Sequence, residues 1–399
     1  MSTARPSPAP AADAPQPARL GIAISLALAA AVSLGLARFS YALLLPPMRA
    51  DLGWSYFTAG AMNTVNAAGY LAGALLLPRA LARWDARHVL LAGGAGAALA
   101  LALHGLVAGD GLLFMLRFLT GLASAATFVA GGLLAARLAQ RATRPGLVLG
   151  LYYGGTGLGI VLSALVVPPL AGGAAAHAWQ HAWLALGALA ALCTAITAAT
   201  TGTLAAHPSA AGGGQQVRWA AFGWLLAGYL MFGLGYIGYM TFVVTLLREQ
   251  GLAPRLIVAF YVLLGLGVVA SSWLWAGLLQ RWRGGQPLAL LNGLLAAATM
   301  LPVVSAHPVA VFASGALFGA VFLSVVAATT AFVRHNLPPA AWPAGISAFT
   351  IVFAAGQIVG PSITGWVADG PGGLARGFVL SAAALALGAG LALKQRPLG

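Results

Sequence analysis

Charged residues are so few and so clustered in this chain that apolar stretches of about twenty residues run between them, the length a helix needs to cross the hydrocarbon core of a bilayer. Only 7% of the 399 residues are charged, against about a quarter in water-soluble chains, and mean hydropathy is +0.91. Too few charges remain to cover a water-facing surface. Inside a bilayer a spanning segment must satisfy its own backbone hydrogen bonds, so these stretches are helices. The fold class is an all-α polytopic membrane protein.

Twelve spans fall near 20–46, 56–77, 88–108, 112–136, 145–168, 182–204, 218–247, 254–279, 287–305, 309–333, 343–366 and 377–393. The longest polar interruption, HPSAAGGGQQVR at 207–218, divides them into two sets of six. The organisation expected is a Pro/Ala-rich tail at 1–18, a six-helix bundle over 19–204, a linker at 205–217, a second bundle over 218–393 and a short tail at 394–399. The apolar run after Arg19 is too long for a signal-peptide core and no convincing cleavage site follows it, so it is a retained first helix.

Sliding the sequence by 198 residues aligns the two sets without a gap. Gly35 then meets Gly233, Tyr41 meets Tyr239, Gly53 meets Gly251, Gly69 meets Gly267 and Gly121 meets Gly319. The dipeptide Arg83-Trp84 meets Arg281-Trp282 in the corresponding loop. Six helices return the chain to its starting side, so these are parallel repeats, a design that places a cavity between the halves near the midplane.

The net charge of +14 raises the question of nucleic acid, and its distribution answers it. Fourteen basic residues against two acidic ones lie on the face that holds both termini, among them Arg79, Arg83, Arg87, Arg137, Arg281 and Arg334. The opposite face is balanced, with Arg49, Arg248, Arg255 and Arg376 against Asp51, Asp110, Glu249 and Asp369. That asymmetry is the positive-inside pattern, which puts both termini in the cytoplasm and leaves the bilayer, not nucleic acid, as the partner. Nineteen arginines to one lysine suggest a GC-rich bacterial genome and hence an inner-membrane location.

Several motifs resemble the major facilitator superfamily. LPPMRADLGWS (45–55) is similar to its first external loop, and LFMLRFLTGLASA (113–125) to its helix-four motif, built on an intramembrane arginine, Arg117, followed by Gly121. GLYYGGTGLG (150–159) and GQIVGP (356–361), with Gly356, Gly360 and Pro361, resemble the Gly-rich seams of helices five and eleven. RWDARH (83–88), with Arg83, Asp85 and Arg87, stands where the signature loop between helices two and three belongs. Pro78 and Ala82 occupy the places of that signature's glycine and aspartate, and Asp85 is the residue available to substitute. GLARFSYALLLPPM (35–48) and GYLMFGLGYIGYMTF (228–242) look like the YbfB/YjiJ branch. The resemblance covers 19–393 and implies two six-helix bundles working by alternating access. It names no substrate.

Arg38 and Arg117 lie inside apolar spans, where a charge costs at least ~2.5 kcal/mol and faces a bundle interior or an aqueous cavity. All six carboxylates lie in tails or loops, so neither arginine has an acidic neighbour at its own depth. Each could anchor the structure on backbone carbonyls or bind a ligand; a guanidinium pairs with a carboxylate through two parallel hydrogen bonds. Helical spacing adds Tyr41 beside Arg38, Asn63 and Asn66 in one stripe with Tyr70, Tyr152 on helix five, Tyr236 and Tyr239 on helix seven, and Gln357 on helix eleven as candidate lining residues. His104 is read as a packed residue. No catalytic set, metal site or cofactor is expected.

These features make a monomeric secondary transporter of a small organic anion, most plausibly a carboxylate, with Arg38 as counter-charge; a coupled proton stays open, carried by the substrate itself. An exporter of neutral or amphipathic compounds, with structural arginines, is the alternative. A membrane-embedded transferase is remote, because no nucleophile stands beside a base.

Overall fold

The computed structural model describes residues 16–173, 175–202 and 219–398. The tail residues 1–15 and the linker expected at 205–217 lie outside them. Twelve helices among the described residues are long and apolar enough to cross a membrane: α1 Leu20–Leu52, α2 Tyr56–Arg83, α3 Ala86–His104, α4 Asp110–Gln140, α5 Pro145–Ala171, α6 Trp179–Thr200, α7 Trp219–Glu249, α8 Pro254–Arg281, α9 Gln286–Val304, α10 Pro308–Asn336, α11 Ala344–Ala368 and α12 Gly373–Leu393. No strand occurs among the described residues.

The helices run longer than the apolar windows suggest. Helix already begins at Gln16, inside the expected tail, and α1 continues through Pro46 and Pro47 to Leu52. Pro78 likewise stands within α2 rather than ending it. A proline removes one hydrogen bond, and packing against neighbouring helices holds the turn around it. Gly53, at φ 66°, closes α1, and its repeat partner Gly251, at φ 79°, follows α7. Only glycine adopts this left-handed conformation without strain.

The first six helices pack on one another, with α4 against α2 and α3, α3 against α6 and α1 against α5. The last six do the same, with α7 against α11 and α12, α8 against α10 and α9 against α10 and α12. Two long seams join these bundles, α5 along α8 and α2 along α11, and the end of α1 touches α7. The repeat register is visible in atoms. Gly121 on α4 sits against the carbonyl of Asn66 on α2, and Gly319 on α10 sits against that of Leu264 on α8, both pairs 198 residues apart. Trp84 and Trp282 end their helices in the same extended conformation.

Leu99, Leu165 and Trp366 are exposed on the outside, while Arg38, Arg117, Asn63, Asn66 and Gln357 are buried inside. An apolar exterior around a polar interior is the order that a bilayer solvent selects. Residues 395–398 are docked rather than trailing: Gln395 accepts from Leu225 N and donates to the Ala221 carbonyl, and Leu398 N donates to Asn336.

Candidate functional site

The site begins with a departure from regular helix. Ala31–Phe39 of α1 winds as a π-helix, with Ser40 N donating to the Gly35 carbonyl five residues back at 3.0 Å. Such wide turns are rare and concentrate at functional positions. Gly35 and Ala31 give up side-chain bulk so that Gly159 of α5 lies directly on this turn. Arg38 projects from its end. It is 3% exposed, and its Nε and Nη2 make no hydrogen bond among the described residues. Its guanidinium carbon lies 5.8 Å from the ring of Tyr70 on α2 and 6.0 Å from that of Phe39. Across the bundle interface the neighbouring Phe39 meets Phe322 of α10 edge-on at 5.6 Å, and Phe322 stacks with Tyr236 of α7 at 5.8 Å.

Arg117 presents the opposite case. Nε donates to the Met62 carbonyl at 3.5 Å, Nη1 to that of Ala37 at 3.1 Å and Nη2 to Asn63 Oδ1 at 3.3 Å. Its charge also lies over the Tyr41 ring at 4.7 Å and the Trp183 ring at 5.9 Å, favourable positions for a cation. Thus Arg117 ties α4 to α1 and α2, and its three nitrogens are spoken for. Tyr41, placed beside Arg38 by its i+3 spacing, serves Arg117 instead, and its hydroxyl donates to the Ala59 carbonyl at 2.9 Å. Spacing of i+3 sets two residues on one face only in a regular α-helix, and here Arg38 lies within the π-turn while Tyr41 begins the α-helix after it.

Other residues singled out from the sequence separate in the same way. Asn63 bridges the halves, accepting from Arg117 and donating to Thr241 of α7 at 2.7 Å. Asn66 donates to the carbonyl of Arg117, the hydroxyl of Tyr152 to that of Phe128, and Tyr239 pairs with Ser314 while stacking on Phe318. All of these polar groups are engaged within the protein. Tyr236 and Gln357 share a bond at 2.6 Å, and Tyr236 stacks with Phe322, which meets Phe39 beside Arg38. Tyr70 joins them; its place in the polar stripe of α2 was the only signal for it. His104 stacks on Trp183 at 4.5 Å.

At the face remote from the termini, four helices meet in a polar clasp. The Asp369 carboxylate at the end of α11 accepts from the backbone N–H groups of Tyr56 at 2.7 Å and Phe57 at 2.9 Å. The Tyr56 hydroxyl donates to Glu249 of α7, and Arg49 of α1 lies 3.9 Å from Glu249 and 3.7 Å from the Tyr56 ring. Towards the midplane, Thr64 of α2 bonds the Ile358 carbonyl and the Ser362 hydroxyl of α11. The motif residues hold neighbouring seams. Gly356 and Gly360 lie against Leu230 and Leu234 of α7, and the Pro361 carbonyl lies against Gly60 of α2. On the face holding the termini, Arg87 bonds the Ala198 carbonyl of α6 and Thr201 just beyond its end, Asp85 caps α3 through Arg87 N, and Arg83 is exposed.

The α5–α8 seam is equally tight, since a Cβ on Gly157 would come within 2.7 Å of Val269 N and meet the Gly265 carbonyl. Gly157→Leu is therefore expected to destabilise the protein by about 1–3 kcal/mol through overpacking and to stop transport, read as a lower melting temperature together with lost uptake. Unchanged stability and uptake would show that the seam has room to spare.

A family model described as "Uncharacterised MFS-type transporter YbfB" matches residues 30–393. The chain belongs to that family. It is an MFS-type transporter, a multi-pass membrane protein moving a solute by secondary transport, and not an enzyme. Among solved structures, a mutant of the nucleoside transporter NupG is similar at TM-score 0.72 and 15% identity, over 93% of this chain and 98% of that one. A bacterial homolog of the human lysosomal transporter Spinster, inward-facing and occupied, is similar at TM-score 0.70 and 14% identity, over 95% and 97%. Its inward-facing, unoccupied form gives 0.69 and 15%, over 95% and 96%. Identities this low establish the fold alone. No curated protein matches the sequence.

Proposed function

We propose that this YbfB-type transporter moves a small organic anion, a carboxylate, between its two six-helix bundles, with Arg38 as the counter-charge. The observation that carries this reading is the contrast between the two buried arginines. Each nitrogen of Arg117 has a protein acceptor, whereas Arg38 is equally buried with Nε and Nη2 unpartnered. A desolvated cation without an acceptor is costly unless a ligand supplies one. Excess basic charge around the termini supports a cytoplasmic location for them in a bacterial inner membrane. The clasp of Asp369, Glu249, Arg49 and Tyr56 then closes the external side, and a monomer suffices because both bundles lie in one chain.

Thermal stability of the purified protein tests the reading, against a panel of acetate, benzoate, succinate, phosphate, uridine and tetraphenylphosphonium. A ligand at ~100 times its dissociation constant stabilises by roughly 2.7 kcal/mol. Stabilisation by a carboxylate, absent in Arg38→Ala, is the expected result. Stabilisation by uridine or the cationic amphiphile alone would overturn it and favour an exporter, or a carrier of neutral solutes, with structural arginines.

A further inference from the structure

We infer that the transported anion is an aromatic monocarboxylate, an inference that rests on the Arg38 anion site proposed above and adds its substrate class. Charge capacity comes first. Nε and Nη2, the two unpartnered nitrogens of Arg38, form one edge of the guanidinium, and their N–H bonds run side by side. That edge matches the two oxygens of one carboxylate. On the other intramembrane arginine each nitrogen already has a protein acceptor, the Met62 or Ala37 carbonyl or Asn63 Oδ1. A second carboxylate on the same ligand would find no such unpartnered edge, and a buried carboxylate without hydrogen bonds is costly. The site therefore offers one paired edge, enough for a single carboxylate.

The walls define the rest of the ligand. Tyr70 flanks the guanidinium on the side of the first bundle. From the second bundle comes a layer of rings lying nearly parallel to one another. Tyr236 stacks with Phe232 at 4.8 Å and 20°, with Phe353 at 5.5 Å and 19°, and with Phe322 at 5.8 Å and 9°. Phe322 also meets Phe39, the neighbour of Arg38, edge-on at 5.6 Å. Tyr70 lies beside the guanidinium, and Tyr236 connects to the neighbouring Phe39 through Phe322, so the charged edge and both aromatic walls belong to one interface. A flat ring with its carboxylate on the Arg38 edge can extend this stack; a saturated ring of similar size cannot lie parallel to it. Stacking on this layer is expected to favour the aromatic acid roughly ten-fold over its saturated counterpart.

The test uses the full chain in proteoliposomes, with radiolabelled benzoate as probe and cyclohexanecarboxylate, acetate, terephthalate and benzamide as competitors. Benzoate uptake is expected, lost in Arg38→Ala, with cyclohexanecarboxylate competing roughly ten-fold more weakly than unlabelled benzoate and with terephthalate and benzamide ineffective. Tyr236→Leu should bring the benzoate and cyclohexanecarboxylate values together, whereas Tyr236→Phe keeps them apart. Folding of each variant is checked by gel filtration and helix content. Equal competition by the saturated ring, or uptake of acetate but not benzoate, overturns the aromatic class and leaves the anion site standing. Effective terephthalate overturns the single-charge limit. Competition by benzamide equal to that of benzoate, or uptake unaffected by Arg38→Ala, overturns the anion reading itself.

Discussion

Arg117→Leu lowers the melting temperature of the purified protein, and Arg38→Leu leaves it unchanged or raises it; this is the expected outcome of the simplest comparison the two buried arginines allow. Both side chains are almost wholly inaccessible, at 1% and 3% exposure, so burial alone does not distinguish them. Their partners do. Three hydrogen bonds from Arg117 connect α4 to α1 and α2. At about 0.6–1.7 kcal/mol for a side-chain hydrogen bond between membrane helices, their loss amounts to roughly 2–5 kcal/mol. The substitution also strands the carbonyls of Ala37 and Met62 and the amide of Asn63, which still bonds Thr241 across the interface. Arg38→Leu removes a desolvated charge with two idle donors, and replacing such a charge by a hydrophobic side chain is neutral or stabilising. A loss of stability in Arg38→Leu as large as that in Arg117→Leu would make Arg38 an anchor as well and remove the basis of the anion site.

That contrast also marks how far the sequence could be read. Twelve spans, the 198-residue repeat and the burial of two arginines all follow from local composition and periodicity, which the bilayer enforces segment by segment. Gly121 on Asn66 and Gly319 on Leu264 repeat one contact in the register read from the sequence. Which arginine is satisfied depends instead on carbonyls 55 and 80 residues from Arg117 in the chain, and no spacing rule reaches that far. The π-turn of α1 was hidden for a related reason: Ala31–Phe39 is ordinary helical composition, and α5 packs on the turn at Gly159 from 120 or more residues away in the chain. Tyr41 changed partner as a consequence. Helix ends at Pro46 and Pro78 were read too early, because proline's local penalty is outweighed where neighbouring helices hold the backbone.

Asp369→Ala is expected to release the face remote from the termini. The N-terminus of α2 carries backbone N–H groups without intrahelical acceptors and the positive end of the helix dipole. Asp369 reaches it from α11, 313 residues away, and accepts from Tyr56 and Phe57. The group is exposed, so its contribution is that of a solvated helix cap, about 1–2 kcal/mol, equivalent to a shift of roughly five- to thirty-fold between closed and open populations. A clasp of that size suits a carrier, since a ligand shifts an equilibrium only by its differential affinity for the two states. Spin labels at Gly111→Cys and Arg255→Cys, in a Cys193→Ala background, report on it. Both positions are exposed, lie at that face on α4 and α8, one in each bundle, and stand outside the clasp. Asp369→Ala should add a longer-distance population, and Glu249→Gln a smaller one, because it weakens only the Tyr56 and Arg49 contacts. A distance distribution identical to that of the unsubstituted protein would mean that α2 is held against α11 by backbone packing, with the Pro361 carbonyl on Gly60, and that the polar groups merely decorate a seam already closed.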